Sequence, residues 1–216
     1  MFVRVQGLLS EEAAGTLSAA VEKLGAAEET VTGQPQPVNL DQHEKHRRLG
    51  DAVVRGLTDS APIASRFFPK TIGRPLFWRM EEGAEHGWHT DPAIYSGEQK
   101  FRTDVTALVF LSPPDTYEGG SVLVQEFGNA TRFKLPAGDA LLFPSHLIRA
   151  VEKVESGTRI AATVAMQSLI RDPVQRQILV DIDQSRQSAL AKDAGAEEGI
   201  LLLRAHSNLM RLWAEI

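Results

Sequence analysis

His89 and Asp91 stand two residues apart in Gly87-Trp88-His89-Thr90-Asp91. On an extended segment that spacing puts an imidazole and a carboxylate on one face, a few ångströms apart, where they can share one metal ion. With a third ligand from elsewhere they make the two-histidine, one-carboxylate set of non-haem iron(II) chemistry, which leaves coordination positions open for a cosubstrate and oxygen. The chain has no cysteine, so thiolate ligation and disulfides are excluded and any metal must rest on His, carboxylate or carbonyl groups. Alone, the His-x-Asp pair reads more readily as the polar face of an exposed strand.

A second group bears on the choice. In the run Thr158 to Gln167, one face carries Arg159, Ala161, Thr163, Ala165 and Gln167, and the other Thr158, Ile160, Ala162, Val164 and Met166. A barrel interior lined by Ala and Thr beside one guanidinium has room for a small carboxylate, which Arg grips in bidentate fashion. The bland alternative is a surface strand with one salt-bridged Arg.

The elements that must position these residues follow from the pattern around them. Ser10 is an N-cap for a helix through Leu24, with Glu11 and Glu12 in its first turn. A second helix is expected over Asn39 to Leu57, after a Gly/Pro-rich break. From Pro75 the texture changes to short β-prone runs between Gly, Pro and Asp: Leu76 to Met80, Asp104 to Leu111, Ser121 to Gln125, Thr131 to Leu135, Ala140 to Phe143 and Thr158 to Gln167. Many short strands with turn signals predict a barrel or jelly roll. Gly119-Gly120 reads as a turn or bulge that needs positive φ. Helix returns after Ile170, with Asp172 and Pro173 as cap and first-turn pair, over Val174 to Leu190 and Glu197 to Trp213. Leu201, Leu202, Leu209 and Leu212 give the last helix an apolar surface expected to cap the barrel, with a homodimer contact as the alternative. One domain is expected over 1–216, with an N-terminal helical part (1–74), a jelly-roll core (75–170) and C-terminal helices (171–216).

The chain of 216 residues is 43% hydrophobic with a formal net charge of −5. That gives no basic footprint for nucleic acid, and no apolar run approaches the roughly 20 residues of a membrane span. Met1 to Leu9 lacks the features of a signal peptide, so a cytoplasmic setting is expected.

The sequence as a whole resembles the PKHD-type hydroxylases, a bacterial branch of the iron(II)/2-oxoglutarate dioxygenases. The resemblance rests on Pro75-Leu76-Phe77, Gly87-x-His89-x-Asp91, Arg102-Thr103-Asp104, Phe110-Leu111-Ser112 and Tyr117-x-Gly119-Gly120. It continues through Leu135-Pro136-Ala137-Gly138-Asp139, Pro144-Ser145, Gly157-x-Arg159, Gln167-Ser168-x-Ile170-Arg171-Asp172 and Trp213-x-Glu215-Ile216. It implies a mainly β chain with flanking helices, built on a cupin-like double-stranded β-helix (jelly-roll) core. It also implies Fe(II) as cofactor, bound by His89 and Asp91, and 2-oxoglutarate as cosubstrate, its distal carboxylate on Arg159. The substrate would be a small or amino-acid-like molecule.

The chain departs from that family at the slot of the second iron-binding histidine, ten residues before Arg159, which holds Arg149. The surrounding pattern of Val151, Val154, Gly157 and Arg159 is intact. Met80 and His86 stand where the family has tyrosines, and Pro92 where it has Asn. A guanidinium about 4 Å from a metal is repelled by roughly 4 kcal/mol per unit of metal charge at an effective dielectric near 20. Three readings remain. His146 supplies the third ligand through a shift of the Pro144 to Ile148 loop, His86 does so, or the metal is lost and the fold binds a ligand through Arg149 and Arg159. An odd spacing of three points His86 away from His89 on a regular strand. His43, His46 and His206 read as solvated helix faces. Metal-dependent hydrolysis fits less well, because Arg159 suits a cosubstrate pocket better than a water-activating site.

Overall fold

The computed structural model describes residues 2–26, 33–38, 40, 44–97, 99–193 and 197–216. The N-terminal part runs β1 (Val3–Val5), α1 (Glu11–Gly25), β2 (Gln36–Val38), α2 (Glu44–Asp59) and α3 (Ala61–Phe67). Then come β3 (Pro69–Ile72), β4 (Leu76–Met80), β5 (His86–His89), β6 (Ile94–Ser96), β7 (Lys100–Arg102), β8 (Val105–Phe110) and β9 (Tyr117–Gly119). The remaining strands are β10 (Val122–Glu126), β11 (Asn129–Phe133), β12 (Ala140–Pro144), β13 (Ile148–Val151), β14 (Val154–Gly157) and β15 (Arg159–Ser168), before α4 (Pro173–Lys192) and α5 (Glu197–Trp213).

Among the described residues the strands form a seven-stranded sheet in the order β1-β12-β8-β15-β4-β2, with β3 also on β15, and a four-stranded sheet in the order β11-β10-β13-β5. The mainly β core with flanking helices is the arrangement expected of a double-stranded β-helix. Alternation decides which face of the large sheet meets what. Ala107 and Val109 of β8 and Ile160, Ala162, Val164 and Met166 of β15 pack with Leu17, Val21, Leu57, Ile63 and Phe67 of the N-terminal helices. The intervening Leu108, Phe110 and Ala161 turn the other way, onto Val122, Val124 and Val151 of the small sheet.

The N-terminal helix begins as its residues require, with the Ser10 hydroxyl accepting from the Ala13 N–H at 3.2 Å. Asp172 caps α4 on Val174 and Gln175, with Pro173 in the first turn. The described part of the second helix starts at Glu44, so the start expected at Asn39, and His43, lie outside the described residues. Several conspicuous motif residues serve the scaffold. Asp139 accepts from Arg4 and from the Gly7 N–H. Arg102 binds Asp104 at 2.6 Å and Glu215 at 2.7 Å, tying the C-terminal tail to the barrel.

One expectation is corrected. The last helix does not cap the barrel with its leucines. It lies along α4, and Leu201, Leu203 and Leu212 are 44%, 50% and 74% exposed. The sequence shows how apolar this helix is but not which neighbour receives it. No helix of the described residues is long and apolar enough to cross a membrane.

Gly119 and Gly120 have φ of +67° and +61°, and a Cβ on Gly119 would lie 2.1 Å from the Lys153 carbonyl oxygen. These residues pair β9 with β14 and let the chain close over Arg159. Gly128 has φ of +83° with open space around it. Gly128→Ala should therefore cost about 1 kcal/mol, from backbone strain alone, and Gly119→Ala about 3 kcal/mol or more. Thermal denaturation checks this, because each kcal/mol lowers Tm by about 2–4 °C in a domain of this size.

Candidate functional site

A cavity of about 520 Å³ opens at one end of the space between the sheets. His86, His89, Asp91, Thr106 and Arg149 line it, and Leu76, Trp78, Ile94 and Tyr95 form its apolar walls. Strand pairing explains the grouping. In the β5–β13 ladder Arg149 is opposite His89, so both side chains project to the same face. Arg149 also shares a strand face with Val151, which lies in the inter-sheet core.

The register shifts between Arg149 and Val151, so that His86 lies opposite Val151. This bulge overturns the parity argument for His86. An extra residue on β5 turns its side chain back to the face of His89, and the two rings stack with centroids 3.9 Å apart and planes 16° from parallel. The His89 Nδ1 is 2.8 Å from the Gly87 carbonyl oxygen and must carry the proton to donate there. The lone pair is then on Nε2, which is buried and has no hydrogen-bond partner. Burial holds His89 below the ordinary histidine range, and Arg149 pushes the same way. Burial, then His89 and Arg149, brings His86 down to about 4. Both rings are neutral at pH 7.

Asp91 has both carboxylate oxygens engaged. Oδ1 accepts from the Arg149 Nη2 at 2.7 Å and Oδ2 from the Thr106 hydroxyl at 2.6 Å. Thr106 in turn is 2.8 Å from the Ser145 hydroxyl. The side chains of Arg149 and Asp91 are 7% and 13% exposed, so this is a largely buried ion pair.

Arg159 lies deeper, outside the cavity lining. On its face of β15, Thr163 and Ala165 line the cavity, Ala161 enters the inter-sheet core, and Arg159 follows at 2% exposure. Its Nη1 donates to the Met80 sulfur at 3.6 Å, directly across the β15–β4 ladder. Its Nε and Nη2 have no partner, nor does the buried Tyr117 hydroxyl. Burial lowers the Arg159 pKa to about 10, with Tyr117 opposing and Arg149 reinforcing. It is a charged, buried, under-satisfied guanidinium.

The structure thus brings together His86, His89, Asp91 and Arg149, and sets Met80 against Arg159. It does not bring in His146, which is exposed on the turn between β12 and β13 and absent from the cavity lining. The side chain entering from this part of the chain is Arg149. Among the described residues no group of three or more His, Asp or Glu gathers to hold a metal. The sequence gives Thr106 and Trp78 no part in the site, and Ser145 and Tyr117 enter it only as motif residues without a role. For Thr106 a signal existed: one hydroxyl inside the apolar run Val105 to Phe110.

These residues fit the cosubstrate at one end and iron at the other only as a pair. The unpartnered nitrogens of Arg159 suit a carboxylate. His89 Nε2 and Asp91 are two donors for a divalent ion, and the third side-chain position is a cation. In chelator-treated protein the Arg149–Asp91 pair should contribute measurably to stability. A double-mutant cycle of Arg149→Ala and Asp91→Ala, followed by urea unfolding, should give a coupling of about 1–3 kcal/mol. Additive effects would mean that the two groups do not interact in solution.

Residues 75–167 match the family model of the 2OG-Fe(II) oxygenase superfamily. The chain is 38% identical over 178 residues to a PKHD-type hydroxylase of Thermosynechococcus vestitus, covering 82% of this chain and 80% of the relative. It is 31% identical over 225 residues to the PKHD-type hydroxylase YbiX of Escherichia coli, covering 100% of both. Among solved structures, a prolyl hydroxylase from Trichoplax adhaerens, in complex with a hypoxia inducible factor peptide fragment, shares the fold. It superposes with a TM-score of 0.60 at 14% identity, over 82% of this chain and 86% of that one. Similarity to these hydroxylases over 82% and 100% of the chain means that it belongs to the PKHD-type hydroxylases, a family of iron(II)- and 2-oxoglutarate-dependent dioxygenases.

Proposed function

We propose that the protein is a hydroxylase-type oxygenase acting on a small or amino-acid-like substrate, with an altered metal centre in which His89 and Asp91 are the side-chain ligands of iron(II). In this reading Arg159 binds the distal carboxylate of 2-oxoglutarate. The observation that carries it is the pair of unsatisfied buried groups within one barrel, the Nε2 of His89 and the guanidinium of Arg159. Burying such groups without partners is costly, so their persistence points to ligands that complete them.

Each neighbour then has a task. The Gly87 carbonyl fixes the His89 tautomer that presents Nε2, and His86 holds the ring by stacking. The Thr106 hydroxyl orients Asp91, and Ser145 orients Thr106. Met80 and Phe110 keep the Arg159 end dry, Phe110 lying 6.0 Å below the guanidinium, which strengthens its hold on a carboxylate. Bound iron would supply the oxidation of a substrate C–H bond at the expense of 2-oxoglutarate and oxygen. If a bound metal drew on the Oδ1 of Asp91, it would compete there with the Arg149 guanidinium.

The Arg149–Asp91 ion pair favours a second reading, a non-catalytic ligand-binding protein in which that pair replaces the metal. Anaerobic titration with iron(II) and then 2-oxoglutarate separates the two. The oxygenase reading expects the weak visible charge-transfer band of chelated cosubstrate, lost in Asp91→Ala and retained in His146→Ala. Binding of 2-oxoglutarate that is indifferent to chelator, with no band, would leave the binding-protein reading standing. Arg159→Gln should weaken 2-oxoglutarate by roughly 2–4 kcal/mol in either case, measured by calorimetry.

A further inference from the structure

Arg149 is an arginine with nowhere to go once Asp91 turns to a metal. It is 6% exposed, it lines the cavity, and its Nε is already buried without a partner. Its ion-pair partner is the Oδ1 of Asp91. Around the same cavity Arg74 is held by Asp51 and the two histidines carry no negative charge. Metal loading therefore leaves a buried guanidinium beside a divalent cation, an arrangement that only an incoming anion neutralises. Of the two carboxylates of 2-oxoglutarate, the distal one would be held by Arg159 deeper in the barrel and the other would be engaged in chelating the metal, which leaves Arg149 for an anion from the substrate. Next to Arg149 the cavity offers Leu76, Trp78, Ile94 and Tyr95. The Trp78 indole N–H is bound to the Thr163 hydroxyl at 2.9 Å, so its ring contributes apolar surface.

We propose that Arg149 converts the slot of the absent third metal ligand into a subsite for the carboxylate of an organic acid with an apolar or aromatic body, opened when Asp91 leaves the guanidinium. This rests on the oxygenase reading above and names the class of its substrate. Asp91 acts as a latch. In metal-free protein it occupies Arg149, and in loaded protein it releases it. The acid's carboxylate takes the guanidinium in bidentate fashion while its body lies against Trp78 and Tyr95.

The test uses 3-phenylpropionate and its neutral amide as probes, with binding followed by calorimetry. Protein loaded with redox-inert Mn(II) and 2-oxoglutarate should bind the acid roughly tenfold or more tighter than the amide, as expected for a charge-assisted pair. Arg149→Gln should erase that preference while 2-oxoglutarate still binds through Arg159. Chelator-treated Asp91→Asn, in which the latch is removed without metal, should show the same preference for the acid. If Mn(II) and 2-oxoglutarate fail to bind but Asp91→Asn still prefers the acid, the metal reading falls and the subsite stands. The proposal is overturned if neither probe binds, if acid and amide bind alike in both forms, or if the preference survives Arg149→Gln. Displacement of the acid by excess 2-oxoglutarate would overturn it too, by assigning Arg149 to the cosubstrate.

Discussion

The register of β15 between β8 and β4 governs the rest of the molecule, because this ten-residue strand is buried on both sides and each side does a different job. One row of its side chains meets the N-terminal helices, and the other faces the small sheet, graded from Arg159 through Ala161 to Thr163 and Ala165. A slip of one residue would exchange the rows. It would drive a guanidinium into the helix-facing core and bring Ile160 to the place where Met80 now meets Arg159. The large apolar area behind the sheet thus fixes the position of a charged group in front of it. The scaffold contacts of Arg4 with Asp139, and of Arg102 with Asp104 and Glu215, clamp the same sheet at its edge and at the chain terminus.

Within that frame the barrel interior holds more positive than negative charge. Arg149 has Asp91, but Arg159 has no carboxylate, its hydrogen bond going to a sulfur at 3.6 Å, a weak acceptor, beside the Phe110 ring. Its desolvation shows as a pKa of about 10, far below the arginine norm yet high enough to keep the charge at any physiological pH. A barrel in this state is poised for anions. The neutral forms of His86 and His89 add no competing positive charge near pH 7, and they leave Nε2 free as a donor to metal. The same burial that depresses these histidines leaves two unsatisfied groups in one barrel, the Nε2 lone pair of His89 and the guanidinium of Arg159.

The parts of this arrangement legible in sequence were those set by short-range rules. Leu76 to Met80 reads as a strand and is one, and Ser10 and Asp172 cap helices as their side chains require. The two-face pattern of Arg159 to Gln167 gives a buried strand with a small-residue row toward the cavity. What stayed hidden depends on partners. The three-residue β1 exists only because Val3 to Val5 pair with β12, and nothing in those residues announces it. Parity turns His86 away from His89 on a regular strand, but a bulge is a property of the pairing between two strands, and it turns the ring back. His146 was attractive by proximity in sequence, yet strand β13 projects Arg149 inward and leaves the preceding turn outside. The apolar side of the last helix was legible, but which neighbour it meets was not.

The departures from the family pattern are not scattered through this frame. Met80 lies across the ladder from Arg159, Arg149 across from His89, and His86 across from Val151 while stacked on His89. Pro92 follows Asp91 and lines the same cavity. Independent loss of function would leave buried polar groups stranded wherever a change happened to fall, each costing stability. Here the changed positions meet one another, and the donors left without partners, the Nε of Arg149 and the Nε and Nη2 of Arg159, lie within the same barrel. Arg149 has a largely buried carboxylate partner, His86 has a ring to stack on, and Met80 gives Arg159 a sulfur contact beside the Phe110 ring. What the structure joins is Asp91 to Arg149 and Thr106, His86 to His89 and Met80 to Arg159, so that in the proposed oxygenase any cation would compete with the Arg149 guanidinium for Asp91.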